Sequence, residues 1–340
     1  MKKTFKAMQI TRPGVLEMVE RPIPTPGSGE VLLQVEACGI CGADAADIER
    51  PHTGGGSPRI PGHEVVGRII AVGPQVPAAW APGRRVGVGR LAGHCNECGM
   101  CRRGMFQLCS NQLFVGSSCD GGYAEMMLAR STGLVAIPES LDSVEAAPLL
   151  CAGLATFNAL RKSGALAGDL VAIQGIGGLG HLALQYARRM GFRVAAVGRG
   201  DDIADEVLAL GAHLYIDTHK EDPVQRLQAL GGAQLVLTTI THSAEASRLI
   251  HGLAPQGKFL VVGAGPDPLT VAPGFMVVGE RSIQGAITGT PFESERTLDF
   301  SVMADVHPMI ETMPLERAAE AYAQMKSGGV KFRMVLTMGH

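Results

Sequence analysis

Four closely spaced cysteines constrain this chain more than any other feature of its sequence. Cys95, Cys98, Cys101 and Cys109 follow the pattern C-x2-C-x2-C-x7-C. Four thiolates at such spacings can close round one zinc ion, which favours soft ligands in a tetrahedron. Because four cysteines fill the coordination sphere and leave no place for water, the pattern predicts a structural zinc site. An iron–sulfur cluster and four unpaired cysteines are the alternatives.

The composition narrows the class of protein. The chain has 340 residues, of which 46% are hydrophobic and 18% charged, so a buried core is expected and disorder is not. The 30 basic and 32 acidic residues nearly cancel and aromatic residues make up 4%, which favours no nucleic-acid or membrane partner. The N-terminal segment lacks the apolar region of a signal peptide, and the clustered cysteines suit a cytoplasmic enzyme.

The sequence contains two regions with different residue patterns. Residues 1–152 contain short β-type runs between turns rich in Gly and Pro, which predicts an irregular β-rich domain. Residues 153–287 alternate apolar strands with amphipathic helices, which predicts a doubly wound parallel sheet of the Rossmann type. Residues 288–340 are mixed, and we expect them to return to the first domain and complete it.

A glycine-rich turn lies at the start of the second domain. It reads Gly175-Ile176-Gly177-Gly178-Leu179-Gly180, after a predicted strand at Asp169–Gln174 and at the opening of a predicted helix at Gly178–Met190. In such a context Gly175 permits the tight turn, Gly177 lets the backbone approach a pyrophosphate, and Gly180 allows the helix and strand to pack closely. The pattern therefore predicts a nicotinamide dinucleotide at the helix N-terminus.

The end of the second predicted strand bears on the choice of cofactor. Enzymes that bind NAD usually place an acid there for the ribose 2′-hydroxyl, whereas this chain has Gly198-Arg199-Gly200. Glycine leaves room for a 2′-phosphate and Arg199 can pair with it, which favours NADP(H) over NAD(H). Asp201 and Asp202 follow directly and oppose this preference. Val262 and Gly263, at the end of a later strand, are further candidate cofactor contacts.

A second set of potential metal ligands is scattered along the chain. Cys41 lies in Cys-Gly-Ile-Cys-Gly-Ala-Asp, the pair His63-Glu64 lies in Pro-Gly-His-Glu, and Cys151 lies in Leu-Leu-Cys-Ala-Gly. Two thiolates and one imidazole would leave one position of a zinc ion open, as in catalytic sites. Considered one at a time these residues are weak evidence, because a single cysteine is usually a small buried hydrophobe.

The order of these motifs resembles that of the zinc-dependent medium-chain alcohol dehydrogenases, over essentially the whole chain. The segments Gly-Gly-Tyr-Ala-Glu at 121–125 and Gln-Gly-Ile-Gly-Gly-Leu-Gly-His at 174–181 resemble the branch related to cinnamyl alcohol dehydrogenase. The resemblance implies a GroES-like first domain and a catalytic zinc held by Cys41, His63 and Cys151. It also places Glu64 beside this metal, where it can enter the coordination shell as ligands exchange.

The same resemblance assigns two residues that support the site. Asp44 is implied to accept a hydrogen bond from the far nitrogen of His63 and so to fix its tautomer. Arg333 matches an arginine that contacts the cofactor pyrophosphate, with an ordinary surface arginine as the alternative.

Several positions depart from the family pattern. A relay hydroxyl is expected where Ala43 stands, a relay histidine is absent at Ala46, and Gly42 and Ala155 replace residues near the cofactor. Loss of a general acid typically costs about 10² to 10⁴ in rate. One alternative is that water carries the proton, and another is that a group such as His52 or Asp47 takes over. A third alternative is reduction of an activated C=C bond or an iminium, which needs no such relay.

The sequence therefore predicts an oxidoreductase with two zinc ions that interconverts an alcohol with an aldehyde or ketone. The alternatives are an ene- or imine-reductase on the same scaffold and a catalytically silent zinc protein. Small and apolar residues near the predicted site favour a small uncharged organic substrate. By analogy with the family we expect a homodimer or homotetramer.

Overall fold

Short strands and helices alternate along most of the chain. A computed structural model describes residues 3–50, 59–263 and 265–339. The strands are β1 (Thr4–Arg12), β2 (Val15–Pro22), β3 (Glu30–Ile40), β4 (Glu64–Val72), β5 (Arg85–Val88), β6 (Met126–Arg130), β7 (Leu134–Ala136), β8 (Leu170–Gln174), β9 (Arg193–Gly198), β10 (Leu214–Asp217), β11 (Ala233–Thr238), β12 (Leu253–Val261), β13 (Ser282–Gly285), β14 (Ile310–Pro314) and β15 (Arg333–Thr337). The helices are α1 (Asp44–Glu49), α2 (Gly99–Arg102), α3 (Ser143–Pro148), α4 (Leu154–Arg161), α5 (Gly180–Arg189), α6 (Ala204–Ala209), α7 (Pro223–Ala229), α8 (Ser243–Ile250), α9 (Pro273–Val278), α10 (Pro291–Ala304) and α11 (Ala318–Ser327).

The chain divides into two units. The first, which we call the β-rich unit, comprises Met1–Leu154 and Gly289–His340, and the second, the dinucleotide unit, comprises Ala155–Thr288. The α/β architecture predicted from the sequence, an irregular β-rich domain with a doubly wound parallel-sheet domain, is confirmed. These unit boundaries lie within two residues of the predicted ones at 152 and 287.

The β-rich unit is built on one mixed sheet and a separate β1–β2 hairpin. The strand order is β14-β15-β3-β4-β5-β7, with β6 also paired to β3, and only the β14–β15 pair is parallel. β3 is central, with paired strands along both of its edges, and its apolar side chains are buried along most of its length. The register sets Gly39 opposite Glu64 and Ile40 opposite Met334, so three strands meet where β3 ends.

The dinucleotide unit contains a six-stranded parallel sheet. Its order, β10-β9-β8-β11-β12-β13, starts at β8 in the middle and proceeds outward in both directions. Successive strands are added on one side of β8 up to β10 and on its other side from β11 onward. Ligands of such sheets bind beyond the carboxyl ends of the strands, at the point between β8 and β11 where the strand order changes side. The predicted glycine turn joins β8 to α5 at this location.

One helical stretch of the chain is long and apolar. α3, a π-helical turn at Leu149–Gly153 and α4 together form one helical stretch, Ser143–Arg161, which by length and composition alone could cross a membrane. Most of this stretch is buried within the structure, as in the core helix of a globular domain. Pro148 ends the regular α3 pattern because it has no backbone N–H, and the wider π turn follows it.

Candidate metal centres and dinucleotide site

The structure brings four scattered residues of the β-rich unit together. The ligand atoms of Cys41, His63, Glu64 and Cys151 all lie within 4.8 Å of one another, and all four residues are buried. Cys41 follows the last residue of β3, His63 and Glu64 stand at the start of β4, and Cys151 lies in the π turn. The two sulfur atoms are 4.0 Å apart. The β3–β4 register accounts for the approach of Cys41 to His63 and Glu64, whereas Cys151 is supplied by the π turn.

His63 is oriented by Asp44, which belongs to the first turn of α1. The Nδ1 atom of His63 lies 2.7 Å from Oδ1 of Asp44, and both side chains are fully buried. The other ring nitrogen, Nε2, has no hydrogen-bond partner among the residues that the structure describes. A fully buried nitrogen without a partner is costly, and a metal ion would satisfy it. Asp44 therefore occupies the position beside His63 that the family resemblance implied.

Glu64 and Arg333 form a buried ion pair next to this cluster. One guanidinium nitrogen of Arg333 lies 2.6 and 2.5 Å from the two carboxylate oxygens of Glu64, and it also donates to the carbonyl of Ile40 at 3.1 Å. The absence of a side chain at Gly39 makes room for this carboxylate, because a Cβ there would lie 2.0 Å from it. Arg333 is 3% exposed, so the alternative of an ordinary surface arginine is wrong. Its contact with the cofactor stays a prediction.

Proximity shifts the acidities of the buried cluster. The hydrogen bond with Cys151 lowers the pKa of Cys41, and the same contact raises the pKa of Cys151. Burial opposes protonation of His63, but Asp44 and Cys41 outweigh it and raise its pKa. Burial raises the pKa of Glu64 to about 7 against the opposing charge of Arg333. The cluster thus places several ionisable groups close together in a buried site, and a bound dication would stabilise their deprotonated forms.

The second cluster is the cysteine lobe, the loop that contains Cys95, Cys98, Cys101 and Cys109. Its sulfur atoms lie 3.6 to 4.0 Å from their neighbours in the cluster. Backbone N–H groups of Cys98 and Cys101 donate to the sulfurs of Cys95 and Cys98 at 3.4 and 3.5 Å. Hydrogen bonds from Ser110 and the backbone lower the pKa of Cys98 to about 5, which favours the thiolate that a metal requires.

Both clusters fit a single four-coordinate ion. Zn–S bonds of about 2.3 Å place the sulfurs of a tetrahedral site about 3.8 Å apart. The separations in the cysteine lobe, and the 4.0 Å between Cys41 and Cys151, agree with this spacing. A cluster of several iron atoms holds its cysteine sulfurs farther apart, so the geometry disfavours the iron–sulfur alternative. The lobe offers four thiolates, whereas the buried cluster offers two thiolates, an imidazole and a paired carboxylate.

The glycine turn of the dinucleotide unit borders a cavity of about 650 Å³. Gly175 has φ +88°, and a Cβ there would lie 2.5 Å from Ile240. A Cβ at Gly180 would lie 2.0 Å from the carbonyl oxygen of Gly175, whereas a Cβ at Gly177 would meet nothing within 4 Å. The glycines thus allow the turn, the packing of α5 on β8, and free approach to the cavity.

Some of the predicted cofactor residues line the cavity, and the others lie in the turn and the strand ends beside it. Those that line it are Gly175, Ile176, Gly177, Gly198 and Arg199. Sequence reasoning missed further lining residues from the neighbouring strand ends and helices, namely Gln174, Val197, Ile203, Thr218, His219, Pro223, Thr239, Ile240, His242, Glu245 and Arg248. Of the remaining predicted residues, Gly178, Leu179 and Gly180 form the turn and the start of α5. Gly200, Val262 and Gly263 lie at the ends of β9 and β12.

Two residues of β10 hold the loop that carries Arg199. Asp217 accepts hydrogen bonds from the backbone N–H groups of Gly200 and His219, at 2.9 and 3.0 Å. The hydroxyl of Tyr215 donates to the carbonyl of Gly200 at 2.7 Å, and a Cβ at Gly198 would lie 2.8 Å from this hydroxyl. The buried acid of this region is therefore committed to the backbone. Asp201 pairs with Lys220 at 2.6 Å, which reduces its opposition to a bound phosphate.

A second ion pair holds Asp47, which follows Ala43, the position of the missing relay hydroxyl, by four residues in the sequence. Arg90 contacts both carboxylate oxygens of Asp47, at 2.5 and 3.2 Å, and donates to the carbonyl of Val115 at 3.0 Å. Its guanidinium also lies 5.8 Å from the ring centroid of Phe114. Because Asp47 is held on both oxygens, it is poorly placed to replace the relay missing at Ala43. The other proposed substitute, His52, lies outside the described residues.

The chain is similar to known proteins over most of its length. Residues 27–139 match the alcohol dehydrogenase GroES-like domain, and residues 178–303 match the zinc-binding dehydrogenase domain. Alcohol dehydrogenase notN of Aspergillus sp. (strain MF297-2) is 41% identical over 323 residues, which cover 95% of this chain and 94% of that protein. Among solved structures, AibC is similar with a TM-score of 0.92 and 31% identity, over 100% of this chain and 97% of its own. The CAD from Helicobacter pylori complexed with NADP(H) has a TM-score of 0.87 and 26% identity over 99% of both chains.

Proposed function

Because this chain belongs to the zinc-dependent medium-chain alcohol dehydrogenase family, we propose that it transfers hydride between NADP(H) and an alcohol–aldehyde or alcohol–ketone pair. The observation that carries the proposal is the buried set of Cys41, His63 and Cys151. These three ligands would leave one position of a zinc ion open, which is the hallmark of a catalytic rather than a structural site. We propose a second, structural zinc in the cysteine lobe.

The residues of the β-rich unit have distinct parts in this reaction. A bound zinc ion would supply a Lewis acid and the reduced nicotinamide a hydride. Cys41, His63 and Cys151 would hold the metal, and Asp44 would keep Nδ1 of His63 engaged so that Nε2 faces the cluster. Arg333 holds Glu64 close by. The substrate oxygen must still collect a proton, and the side chain of Ala43 cannot supply one.

The preference for NADP(H) is part of the proposal. Arg199 lines the cavity at the end of β9, and Gly198 presents no acid to a 2′-phosphate. We expect Arg199→Ala to lower kcat/KM for NADPH at least tenfold, about 1.4 kcal/mol, and to change kcat/KM for NADH little. A native preference for NADH would refute the cofactor assignment but not the reaction class. Lys258→Ala, on β12, serves as a control for the loss of a positive charge elsewhere in the same unit.

A small uncharged substrate is also proposed. The charge of Arg90 is neutralised by Asp47 in α1, so this ion pair has no net charge to attract an ionic group. We propose a homodimer or homotetramer as well, because β13 is an edge strand and Val277 and Val278 of the adjacent α9 are 76% and 89% exposed. Light scattering of the purified protein tests the oligomeric state.

A second candidate reaction is reduction of an activated C=C bond or an iminium. The observation that favours it is the combination of Ala43 with an Asp47 carboxylate already committed to Arg90. NADPH labelled with deuterium at the transferred position separates the two reactions when it is supplied with an aldehyde, an enal and a cyclic imine. Deuterium on the former carbonyl carbon supports the first proposal, and deuterium on the β-carbon or iminium carbon supports the second. No deuterium transfer to any of the three would favour a catalytically silent protein.

A further inference from the structure

We infer that Tyr123 is a positioning residue of the buried metal site, which acts by fixing Asp44 and, through Asp44, His63. The inference rests on the proposed catalytic metal at Cys41, His63 and Cys151. The family resemblance implies a role for Asp44 but none for Tyr123, and the tyrosine lies 79 positions along the chain from the aspartate.

The hydroxyl of Tyr123 donates to Oδ2 of Asp44 at 2.9 Å. The same oxygen accepts the backbone N–H of Cys41 at 2.9 Å, and the other oxygen, Oδ1, lies 2.7 Å from Nδ1 of His63. Oδ2 therefore accepts two hydrogen bonds, and Oδ1 lies within ion-pair distance of the histidine ring. Burial and the neighbouring charge of Asp44 raise the pKa of Tyr123, so its hydroxyl keeps its proton and remains a donor.

The ring of Tyr123 also packs on the chain that carries His63. A Cβ built at Gly62 would lie 2.2 Å from the ring, so the aromatic side chain fills the space that a side chain at Gly62 would need. The backbone N–H groups of Gly122 and Tyr123 donate to the carbonyls of Gly62 and Pro61, each at 3.0 Å. The tyrosine is thus anchored to the residue before the ligand and, through its hydroxyl, to the residue that orients the ligand.

Removal of the hydroxyl would release one restraint on a buried carboxylate. Oδ2 of Asp44 would retain only the N–H of Cys41, and the carboxylate could turn away from His63. A metal-binding histidine depends on the partner of its other nitrogen for ring orientation and basicity, and loss of such support typically weakens metal binding about 10- to 100-fold. The cysteine lobe makes no use of Asp44, so its affinity for metal should not change.

Tyr123→Phe in the full-length protein tests the inference. Zinc affinity is measured by competition with a chromophoric chelator, which should resolve two sites per chain in the wild-type protein. We expect Tyr123→Phe to weaken one site about 10- to 100-fold and to leave the other within about twofold. Tyr186→Phe is the matched control, because Tyr186 is equally buried but lies in α5 of the dinucleotide unit.

A double-mutant cycle separates positioning from general damage to the fold. If Tyr123 acts through Asp44, then Tyr123→Phe should change zinc affinity less than about twofold in an Asp44→Asn background. Full and independent losses in that background would overturn the inference, as would wild-type zinc affinity at both sites of Tyr123→Phe. Equal weakening of both sites, matched by Tyr186→Phe, would also overturn it. Two zinc sites that respond as expected in a protein without hydride transfer would contradict only the proposed function.

Discussion

Gly177 and Gly180 belong to the same turn, but an added methyl group meets different surroundings at each. At Gly180 the new Cβ would lie 2.0 Å from the carbonyl oxygen of Gly175, which is 1.4 Å closer than the 3.4 Å at which ordinary contact begins. That oxygen belongs to the backbone and cannot rotate away. At Gly177 no heavy atom lies within 4 Å of the new Cβ, so the folded chain has room for it.

The two alanine variants should therefore lose different properties, stability in Gly180→Ala and cofactor affinity in Gly177→Ala. Overpacking of a rigid site costs about 1–3 kcal/mol, and we expect Gly180→Ala to lower the free energy of unfolding by about 2–3 kcal/mol. Gly177→Ala should change it by less than about 0.5 kcal/mol. The same variant places a methyl group where the pyrophosphate approaches, and we expect its Kd for NADPH to rise at least tenfold, about 1.4 kcal/mol.

Urea unfolding without cofactor and fluorescence titration with NADPH measure the two effects separately. A Gly177→Ala variant that binds NADPH like the wild-type protein would refute the assignment of this turn to the cofactor. A Gly177→Ala variant as unstable as Gly180→Ala would refute the geometry of the turn. Gly274→Ala, at the start of α9, is a control because a Cβ there also meets no heavy atom within 4 Å.

Other predictions concern the β-rich unit. Arg333→Met should destabilise the fold by about 3–5 kcal/mol in urea, because it leaves a fully buried carboxylate without its partner, and a loss below about 1 kcal/mol would contradict the ion pair. Ala43→Ser should raise kcat for aldehyde reduction about tenfold or more if carbonyl chemistry lacks its relay, and an unchanged kcat would show that another group or water carries the proton. His307 contacts Glu145 and Asp305 at 3.0 Å each, and the resulting hydrogen bonds raise its pKa. The stabilisation by protonated His307 should be complete below about pH 6.5 and vanish as the pH rises past its raised pKa, so the Tm difference between wild type and His307→Gln should shrink with pH. A Tm difference that does not depend on pH would contradict this interaction.

The sequence was most informative where function depends on local spacing. The cysteine lobe and the glycine turn each lie within one short segment, so the clustering of the four cysteines and the position of the turn could be predicted without knowledge of the fold. The alternation of strands and helices in the second domain predicted the parallel sheet for the same reason. Periodicity and spacing are local properties, and these features depend on little else.

The contacts around the buried cluster of Cys41, His63, Glu64 and Cys151 could not be predicted in this way. Tyr123 reaches Asp44 across 79 positions because backbone hydrogen bonds hold Gly122 and Tyr123 to Gly62 and Pro61. Arg333 reaches Glu64 across 269 positions because β3 pairs with β4 and β15. The spacing of residues along the chain does not encode this register. A glycine at position 39, directly opposite Glu64, was the one local signal, and its meaning becomes clear only when the strands are paired.

At the end of β9, too, the sequence predicted one part of the arrangement and the structure was needed for the rest. The sequence shows that Gly198-Arg199-Gly200 stands where NAD enzymes usually have an acidic residue. The acidic residue that holds this loop is Asp217, on the neighbouring strand, which accepts a hydrogen bond from the backbone N–H of Gly200. The parallel register sets Asp217 opposite Gly198. The sequence predicted room for a phosphate beside this loop, and the structure shows how Tyr215 and Asp217 hold the loop against the cavity.

Zinc content and activity of the same samples test the central claim, that Cys41, His63 and Cys151 hold a catalytic metal apart from the cysteine lobe. We predict two zinc ions per chain in the wild-type protein and in Cys119→Ala, whose cysteine belongs to neither cluster. Cys151→Ala should retain one zinc ion and lose NADPH-dependent reduction almost completely. One zinc ion per chain in the wild-type protein, or full activity in Cys151→Ala, would contradict the claim.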